Sequence, residues 1–182
     1  VSVVLSRLVH RFPTLLQEVD VIAGTSTGAI LASLLAAGYP PSTCTMIYRR
    51  HLAEVFKSET SRRMWTLINA KYNPAPRLHL MERYLGDRTL SDLAKYVAIT
   101  AFKLDGSKDT DPTFFPSKSW RPALFTNLPQ AAGRIPPDLD LRVVDAVMRS
   151  SAAPTYFPTY QGYVDGGVFA NNPSLVALAR IV

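Results

Sequence analysis

Residues 19–38 of the chain read VDVIAGTSTGAILASLLAAG. The first five residues, Val19–Ala23, are apolar except for Asp20, and a short apolar run that stops at a glycine predicts a buried strand. Gly28–Ala37 is rich in alanine and leucine, which predicts a helix, and Gly38 stands where a helix commonly ends. The sequence GTSTG joins the two segments, so a strand, a sharp turn and a helix are predicted in direct succession.

Strands and helices alternate along the rest of the 182-residue chain. Helices are predicted at Val1–Glu18, from Pro40 to about Lys57, and at Arg77–Leu85, Asp140–Ser150 and Pro173–Val182, and strands at Tyr96–Leu104, Ala123–Thr126, Tyr156–Tyr160 and Tyr163–Val164. This alternation favours an α/β fold around a mostly parallel central sheet. Residues 1–182 contain no evident linker or repeat and are expected to form a single domain.

Composition excludes several classes of protein. With 47% hydrophobic and 19% charged residues the chain is too apolar to be disordered, and no apolar run approaches the roughly 18 residues of a membrane span. The single cysteine, Cys44, excludes an internal disulfide and a thiolate metal site, and it fits a reducing compartment. The three histidines lack metal-ligand spacing. We therefore expect no metal, no cofactor and a cytoplasmic location.

The pentapeptide Gly24–Gly28 is a G-x-S-x-G motif between a predicted strand and a predicted helix, the context of a nucleophile elbow. Glycines on either side leave room for a sharp turn that exposes the Ser26 hydroxyl near the positive end of the helix. Thr25 and Thr27 complete the motif. The alternative is an ordinary tight turn in which Ser26 only caps the helix.

A serine hydroxyl needs a base to become a nucleophile. His51 and His79 follow Ser26, but no histidine follows Asp165, as the common order of serine, acid and histidine would require. A serine-histidine-aspartate triad is therefore not excluded, but no feature of the sequence favours it. The triplet Asp165–Gly167 ends a predicted strand, and its glycines, Gly166 and Gly167, free the backbone to aim the carboxylate. Such a carboxylate would act on Ser26 directly, as a dyad, although most D-G-G triplets are simply turns.

Three segments together carry a family resemblance: GTSTG at 24–28, SSAAPTYFP at 150–158 and VDGGVFANNP at 164–173. In this order they resemble the patatin-like phospholipases. The resemblance implies a three-layer α/β/α sandwich with Ser26 as nucleophile and Asp165 as proton acceptor, with no metal. It also implies a membrane lipid or lysolipid, sometimes a triacylglycerol, as substrate, peripheral association with membranes, and no nucleic acid partner.

The resembled family has a glycine-rich D-G-G-G-x-R-G oxyanion loop ahead of the nucleophile, and residues 1–18 contain no glycine. The chain is therefore expected to be N-terminally incomplete, without its oxyanion hole, and to turn over little ester. Two alternatives to a hydrolase follow. An acyltransferase would use the same acyl-enzyme, whereas a catalytically impaired module would only bind lipid.

Basic residues are concentrated between Thr45 and Leu90, where nine Lys/Arg face four Asp/Glu. Within this region the segment 57–77 combines five cations with Met64, Trp65 and Tyr72. Cationic and amphipathic aromatic side chains suit an anionic membrane surface, so docking through this segment is predicted. The alternative is a solvated basic face without a partner.

Overall fold

The computed structural model describes residues 1–52, 55, 70–104, 120–130 and 134–181. Its helices and strands are α1 (Ser2–Arg11), β1 (Val21–Thr25), α2 (Thr27–Ala36), α3 (Pro41–Ile47), α4 (Ala75–Leu85), β2 (Tyr96–Lys103), β3 (Arg121–Thr126), α5 (Val143–Ser150), β4 (Tyr163–Asp165), α6 (Gly167–Ala170) and α7 (Ser174–Ile181). A π-helical turn, Tyr48–Leu52, follows α3, and a 3₁₀ turn, Leu90–Asp92, precedes β2. Helices and strands alternate, and the α/β class predicted from the sequence is confirmed.

Two helices differ in extent from their predictions. The first, predicted over Val1–Glu18, ends at Arg11, because Pro13 cannot continue a helix. The helix predicted from Pro40 to Lys57 is α-helical only to Ile47 and then passes into the π-helical turn. Most of the predicted membrane-docking segment, residues 57–69, lies outside the described residues.

The strand predicted at Tyr156–Tyr160 is wrong. The amides of Tyr156 and Phe157 both donate to the carbonyl of Ala153, which closes a turn. Pro154 and Pro158 frame this turn, and proline cannot donate to a strand ladder. The short helix α6 was not predicted at all.

β2 is the central strand of the described sheet. β1 lies parallel to it, with Thr25 opposite Thr100, and the helices α2 to α4 provide the crossover that a parallel pair requires. β3 runs antiparallel along β2, with Thr126 opposite Ala98 and Arg121 opposite Lys103. β4 is also antiparallel to β2, so the described part of the sheet combines one parallel pairing with two antiparallel ones.

β1 and β4 meet end to end. β4 pairs with the last part of β2, where Asp165 is opposite Ala101. Because β3 already occupies one edge of β2 there, β4 must lie on the edge that β1 uses. The two strands approach from opposite directions and stop at neighbouring positions, Thr25 opposite Thr100 and Asp165 opposite Ala101. Neighbouring positions on a strand are about 3.3 Å apart.

Helices cover both faces of β2. Val97, Ile99 and Ala101 belong to the main hydrophobic core, and both α2 and α5 pack against β2. Phe102 points to the opposite face, where its ring lies 6.3 Å from that of Phe169 in α6. This places a sheet between two helical layers, as the family resemblance implies.

The helix that follows the GTSTG turn is held firmly in the core. Every residue from Ala29 to Ala36 is buried, which suits a helix whose side chains are small or apolar on all sides. Several exposed apolar side chains are instead found on the terminal helices, for example Leu8 in α1 and Leu175 in α7. Within the described ranges, no helix has both the length and the apolarity that crossing a bilayer would demand.

A buried hydroxyl pair joins the sheet to α6. The Thr25 and Thr100 hydroxyl oxygens are 2.7 Å apart, and the Thr25 hydroxyl donates to the carbonyl of Ala170 at 2.8 Å. Since the single proton of Thr25 goes to Ala170, Thr100 must be the donor in the first bond. Both side chains are at most 8% exposed, so water cannot replace these partners.

This donor order predicts unequal costs for two nearly isosteric substitutions. Thr100→Val removes one donor and should lower the free energy of unfolding by about 1 kcal/mol, whereas Thr25→Val also leaves the Ala170 carbonyl unpaired and should cost about 2–3 kcal/mol. Urea unfolding followed by circular dichroism measures both. Thr100→Ser, which keeps the hydroxyl, is the control, and a larger loss for Thr100→Val than for Thr25→Val would contradict the assigned donor.

Candidate active site

Ser26 occupies the turn between β1 and α2 in a strained conformation. Its backbone angles are φ 57° and ψ −125°, a sparsely populated region for a residue with a side chain. Such strain costs about 1–3 kcal/mol and persists only when the surroundings hold it in place. The buried β1 terminus and the buried α2 hold it here. The turn has the strand, sharp bend and helix of a nucleophile elbow.

The two glycines of the motif are not equivalent. A Cβ atom on Gly24 would lie 2.4 Å from the carbonyl oxygen of Gly28 and 2.7 Å from the Cα of Ala29, so α2 can approach β1 only over a glycine. A Cβ atom on Gly28 would meet nothing within 4 Å. Gly24 therefore makes room for the turn, as expected. Gly28 does not, because the space around it would also accept a side chain.

Asp165 ends β4 as a buried carboxylate, with 5% of its surface exposed. Its Oδ1 accepts a hydrogen bond of 2.7 Å from the amide of Gly167, which fixes the orientation of the carboxylate. Gly166 lies directly on β2, since a Cβ there would be 2.4 Å from the carbonyl oxygen of Thr100. The D-G-G triplet is thus a turn that also aims its carboxylate.

The start of the SSAAPTYFP segment ties the serine turn to the aspartate turn. The Ser150 hydroxyl accepts a 2.9 Å hydrogen bond from the Ser26 amide. The Ser150 carbonyl accepts from the Gly166 amide at 3.2 Å, and the Ala152 carbonyl accepts from the Asp165 amide at 3.0 Å. Ser26 and Asp165 are therefore bound to the same three-residue stretch as well as to the same edge of β2. The sequence pattern alone does not reveal this role of Ser150, because a serine at the end of a helix carries no local signal for a distant partner.

A pocket of about 210 Å³ opens at Ser26. The described residues that line it are Ser26, Thr27, Ile30, Arg77, Ser151, Ala153, Tyr156 and Phe157. Its volume is below the usual 300–1,000 Å³ of ligand pockets, so it accommodates part of a large substrate rather than the whole. A wider and more open cleft of about 430 Å³ lies between α1 and α3. None of the motif residues lines that cleft.

Arg77 is a buried cation in the wall of the Ser26 pocket. It is 2% exposed, its Nη1 donates to the carbonyl of Ser151, and its guanidinium carbon lies 3.9 Å from the centre of the Phe157 ring. Burial lowers the pKa of Arg77 to about 10, although the negative charge of Asp165 opposes that shift. Arg77 thus stays protonated at neutral pH. The prediction that placed it in a membrane-facing cluster is wrong, because α4 turns it inward.

The remaining polar groups near the site have other positions. The Tyr48 hydroxyl donates to the carbonyl of Thr27, and burial raises the pKa of Tyr48 above its ordinary value. His51 packs against Tyr84, and His79 is exposed on α4. No histidine lines the Ser26 pocket, and the described ranges contain no group of three His, Cys, Asp or Glu able to hold a metal ion.

Comparison with known proteins gives one consistent family. The sequence profile of the patatin-like phospholipases matches residues 4–178. The chain is 32% identical over 176 residues to a cGAMP-activated phospholipase of Escherichia coli, covering 89% of this chain and 44% of that protein. It is 31% identical over 182 residues to Patatin-like protein 1 of Arabidopsis thaliana, covering 89% of this chain and 42% of that protein. The chain spans less than half the length of these two relatives.

The unequal glycines give a paired prediction on stability. Gly24→Ala forces backbone atoms apart and should lower the free energy of unfolding by about 3 kcal/mol. Gly28→Ala adds a methyl group in open space near the start of a helix and should leave stability unchanged or raise it by up to about 1 kcal/mol. Chemical denaturation of the two variants tests this. Equal losses would contradict the steric assignment.

Proposed function

Because this chain belongs to the patatin-like phospholipase family, we propose that it is a lipid acyl hydrolase that cleaves carboxylic esters of phospholipids or lysophospholipids with Ser26 and Asp165. One observation carries the proposal above the others. β1 and β4 end at neighbouring positions on one edge of β2, and Ser26 directly follows the first end while Asp165 is the second. Strand ends at neighbouring positions support a dyad, because they bring the backbone of a serine close to that of a buried aspartate.

The proposed reaction proceeds through an acyl-enzyme. The Ser26 Oγ attacks the ester carbonyl while its proton passes to the Asp165 carboxylate. As the tetrahedral intermediate collapses, the ester C–O bond breaks and the leaving alcohol takes the proton from Asp165. A water molecule then attacks the acyl-enzyme and gives a proton to Asp165. Return of that proton to Ser26 releases the fatty acid and restores both residues.

The surroundings of the two residues support these roles. The Gly167 amide binds Oδ1 of Asp165 and holds the carboxylate in a fixed orientation, which suits a group that accepts a proton from Ser26. The Ser26 amide donates to the Ser150 hydroxyl. Thr27 is the first residue of α2, and the first amides of a helix have no hydrogen-bond partner within the helix. The Thr27 amide therefore offers one donor to an oxyanion. The absence of a glycine-rich oxyanion loop from this chain stays a prediction from the sequence.

We also propose that the pocket opens toward a membrane surface. Tyr156 lines the pocket and is 48% exposed, its ring stacks on that of Tyr72 at 6.1 Å, and Lys71 Nζ lies 5.1 Å and 5.9 Å from the two ring centres. Tyrosine and lysine are side chains that keep an apolar body in lipid and a polar tip in water. An exposed group of this kind beside the pocket suits docking of the enzyme before a lipid enters.

The dyad predicts which side chains activity requires. In a form of the protein that carries a glycine-rich oxyanion loop ahead of Val1, Ser26→Ala and Asp165→Asn should each reduce hydrolysis of phospholipid at least 10³-fold, since each removes a participant in the bond-making step. His51→Ala and His79→Ala should retain most of it. Covalent labelling by a fluorophosphonate, located at Ser26 by mass spectrometry, tests the nucleophile independently of turnover. Activity lost with either histidine in a folded protein would point to a triad, and an unlabelled Ser26 would indicate a lipid-binding module.

The docking proposal predicts electrostatic binding to vesicles. Binding should increase with the fraction of phosphatidylglycerol in phosphatidylcholine vesicles and decrease with added salt. Lys71→Glu should weaken binding to the anionic vesicles about tenfold, because a basic residue near the surface contributes about 1 kcal/mol and the new carboxylate repels the surface. Arg83→Glu, on the exposed side of α4, is the charge-matched control. Salt-independent binding that Lys71→Glu does not change would contradict this docking surface.

A further inference from the structure

Arg77 carries two buried nitrogen atoms that have no hydrogen-bond partner. Its Nη1 donates to Ser151, but Nε and Nη2 meet no acceptor in the part of the chain that the structure describes. Buried cations are rare unless paired, and an unpaired donor on a charged group is destabilising. Neither a hydrogen bond nor an ion pair links Arg77 to Asp165 within the described residues. The structure thus keeps a cation with unused donors beside Ser26.

The two free atoms form one edge of the guanidinium. Nε–H and one N–H of Nη2 point in the same direction, and this is an edge on which two oxygens of one anion bind side by side. The opposite nitrogen is held by Ser151, and the face of the group is covered by Phe157. These contacts fix the plane of the guanidinium and leave a single recognition edge.

We propose that Arg77 is a specificity-determining residue, whose Nε–Nη2 edge binds the phosphodiester of a glycerophospholipid while the scissile ester lies at Ser26. This inference rests on the proposed hydrolysis of lipid esters. Arg77 and Ser26 line the same pocket, and in such a lipid only carbon and oxygen atoms of the glycerol unit separate the ester from the phosphate. The phosphodiester carries one negative charge at neutral pH and offers two free oxygens.

The proposed contact provides discrimination between charged and neutral lipids. A phospholipid satisfies both unused donors, whereas an acylglycerol leaves these two buried nitrogen atoms unpaired. The guanidinium is the better group for this purpose than an ammonium, because a planar fork matches two phosphate oxygens and loses less hydration on burial. Arg77 would therefore act on the choice of substrate, and Ser26 and Asp165 on the reaction itself.

Ligands that cannot be cleaved test this contact without relying on turnover. A short-chain alkyl-ether glycerophosphocholine, below its micelle concentration, and the matching alkyl-ether glycerol differ only in the phosphocholine group. Calorimetric titration measures the affinity of both for the wild type, Arg77→Gln, Arg77→Lys and the control Arg83→Gln. Arg83 is also on α4 and loses the same charge, but it is exposed and does not line the pocket. Circular dichroism and thermal unfolding establish that each variant is folded.

The wild type and Arg83→Gln should bind the phosphate-bearing ether about 10- to 100-fold more tightly than the neutral ether. Arg77→Gln should lose this preference, and Arg77→Lys should keep only a small part of it. Equal affinities in the wild type, or a preference that survives Arg77→Gln, would overturn the assignment. Inorganic phosphate that binds as tightly as the phospholipid ether would also overturn it, in favour of a free-phosphate site.

Fluorophosphonate labelling of Ser26 in the same samples separates this inference from the proposed function. Labelling without a phosphate preference would refute the role of Arg77 and leave the hydrolase proposal standing. A phosphate preference that depends on Arg77, found in a protein whose Ser26 is not labelled, would support the binding contact and contradict hydrolysis. Fatty-acid binding that also depends on Arg77 and exceeds phosphate binding would refute the phosphodiester as its ligand.

Discussion

The contact of the D-G-G turn with Thr100 is the constraint on which the rest of the site depends. Gly166 packs against the backbone of Thr100, and the Thr100 side chain bonds to Thr25, the last residue before Ser26. One buried residue in the central strand therefore sets the positions of both turns. The two strands that carry these turns, β1 and β4, run in opposite directions. Their ends come together because both strands end at neighbouring positions of β2.

The electrostatics of the site follow from the same close packing. Asp165 and Arg77 are both buried, and they attract each other without forming an ion pair within the described residues. Each charged group is instead fixed by a backbone partner, Gly167 for the carboxylate and Ser151 for the guanidinium. Two opposite charges that do not neutralise each other remain available to a substrate. On the proposed function, the stability lost by burying them unpaired leaves the carboxylate able to accept a proton and the guanidinium able to bind a phosphate.

The local elements of the site could be predicted from the sequence, and the contacts between them could not. The strand, turn and helix around Ser26 follow from an apolar run, a glycine-bounded serine and an alanine-leucine segment, all within 20 residues. Two glycines after a predicted strand indicate the turn at Asp165, whereas the role of its carboxylate is implied only by the family resemblance. Arg77 was assigned to the surface, because a charged side chain carries no local signal for burial. Its inward position arises from the way α4 packs beside Ser151 and Phe157.

The failed strand at Tyr156–Tyr160 has a similar origin. Aromatic side chains favour strands, and this preference misleads here, because Pro154 and Pro158 cannot donate to a strand ladder and the carbonyl of Ala153 closes a turn instead. Sequence pattern also identified β1 and β2 without revealing that β4 would join them from the opposite direction. Pairing direction depends on connections over long distances, which local periodicity does not encode.

The end-to-end meeting of β1 and β4 affects when the site can form during synthesis of the protein. Thr25 and Ala170, joined by a hydrogen bond, are 145 positions apart in the chain. A ribosome releases the segment with Ser26 long before the one with Asp165, and contacts between distant segments form late because closing a long loop costs entropy. On the proposed mechanism, a growing or prematurely ended chain holds the hydroxyl without its base. The capacity to hydrolyse membrane lipids would then arise only when β4 docks.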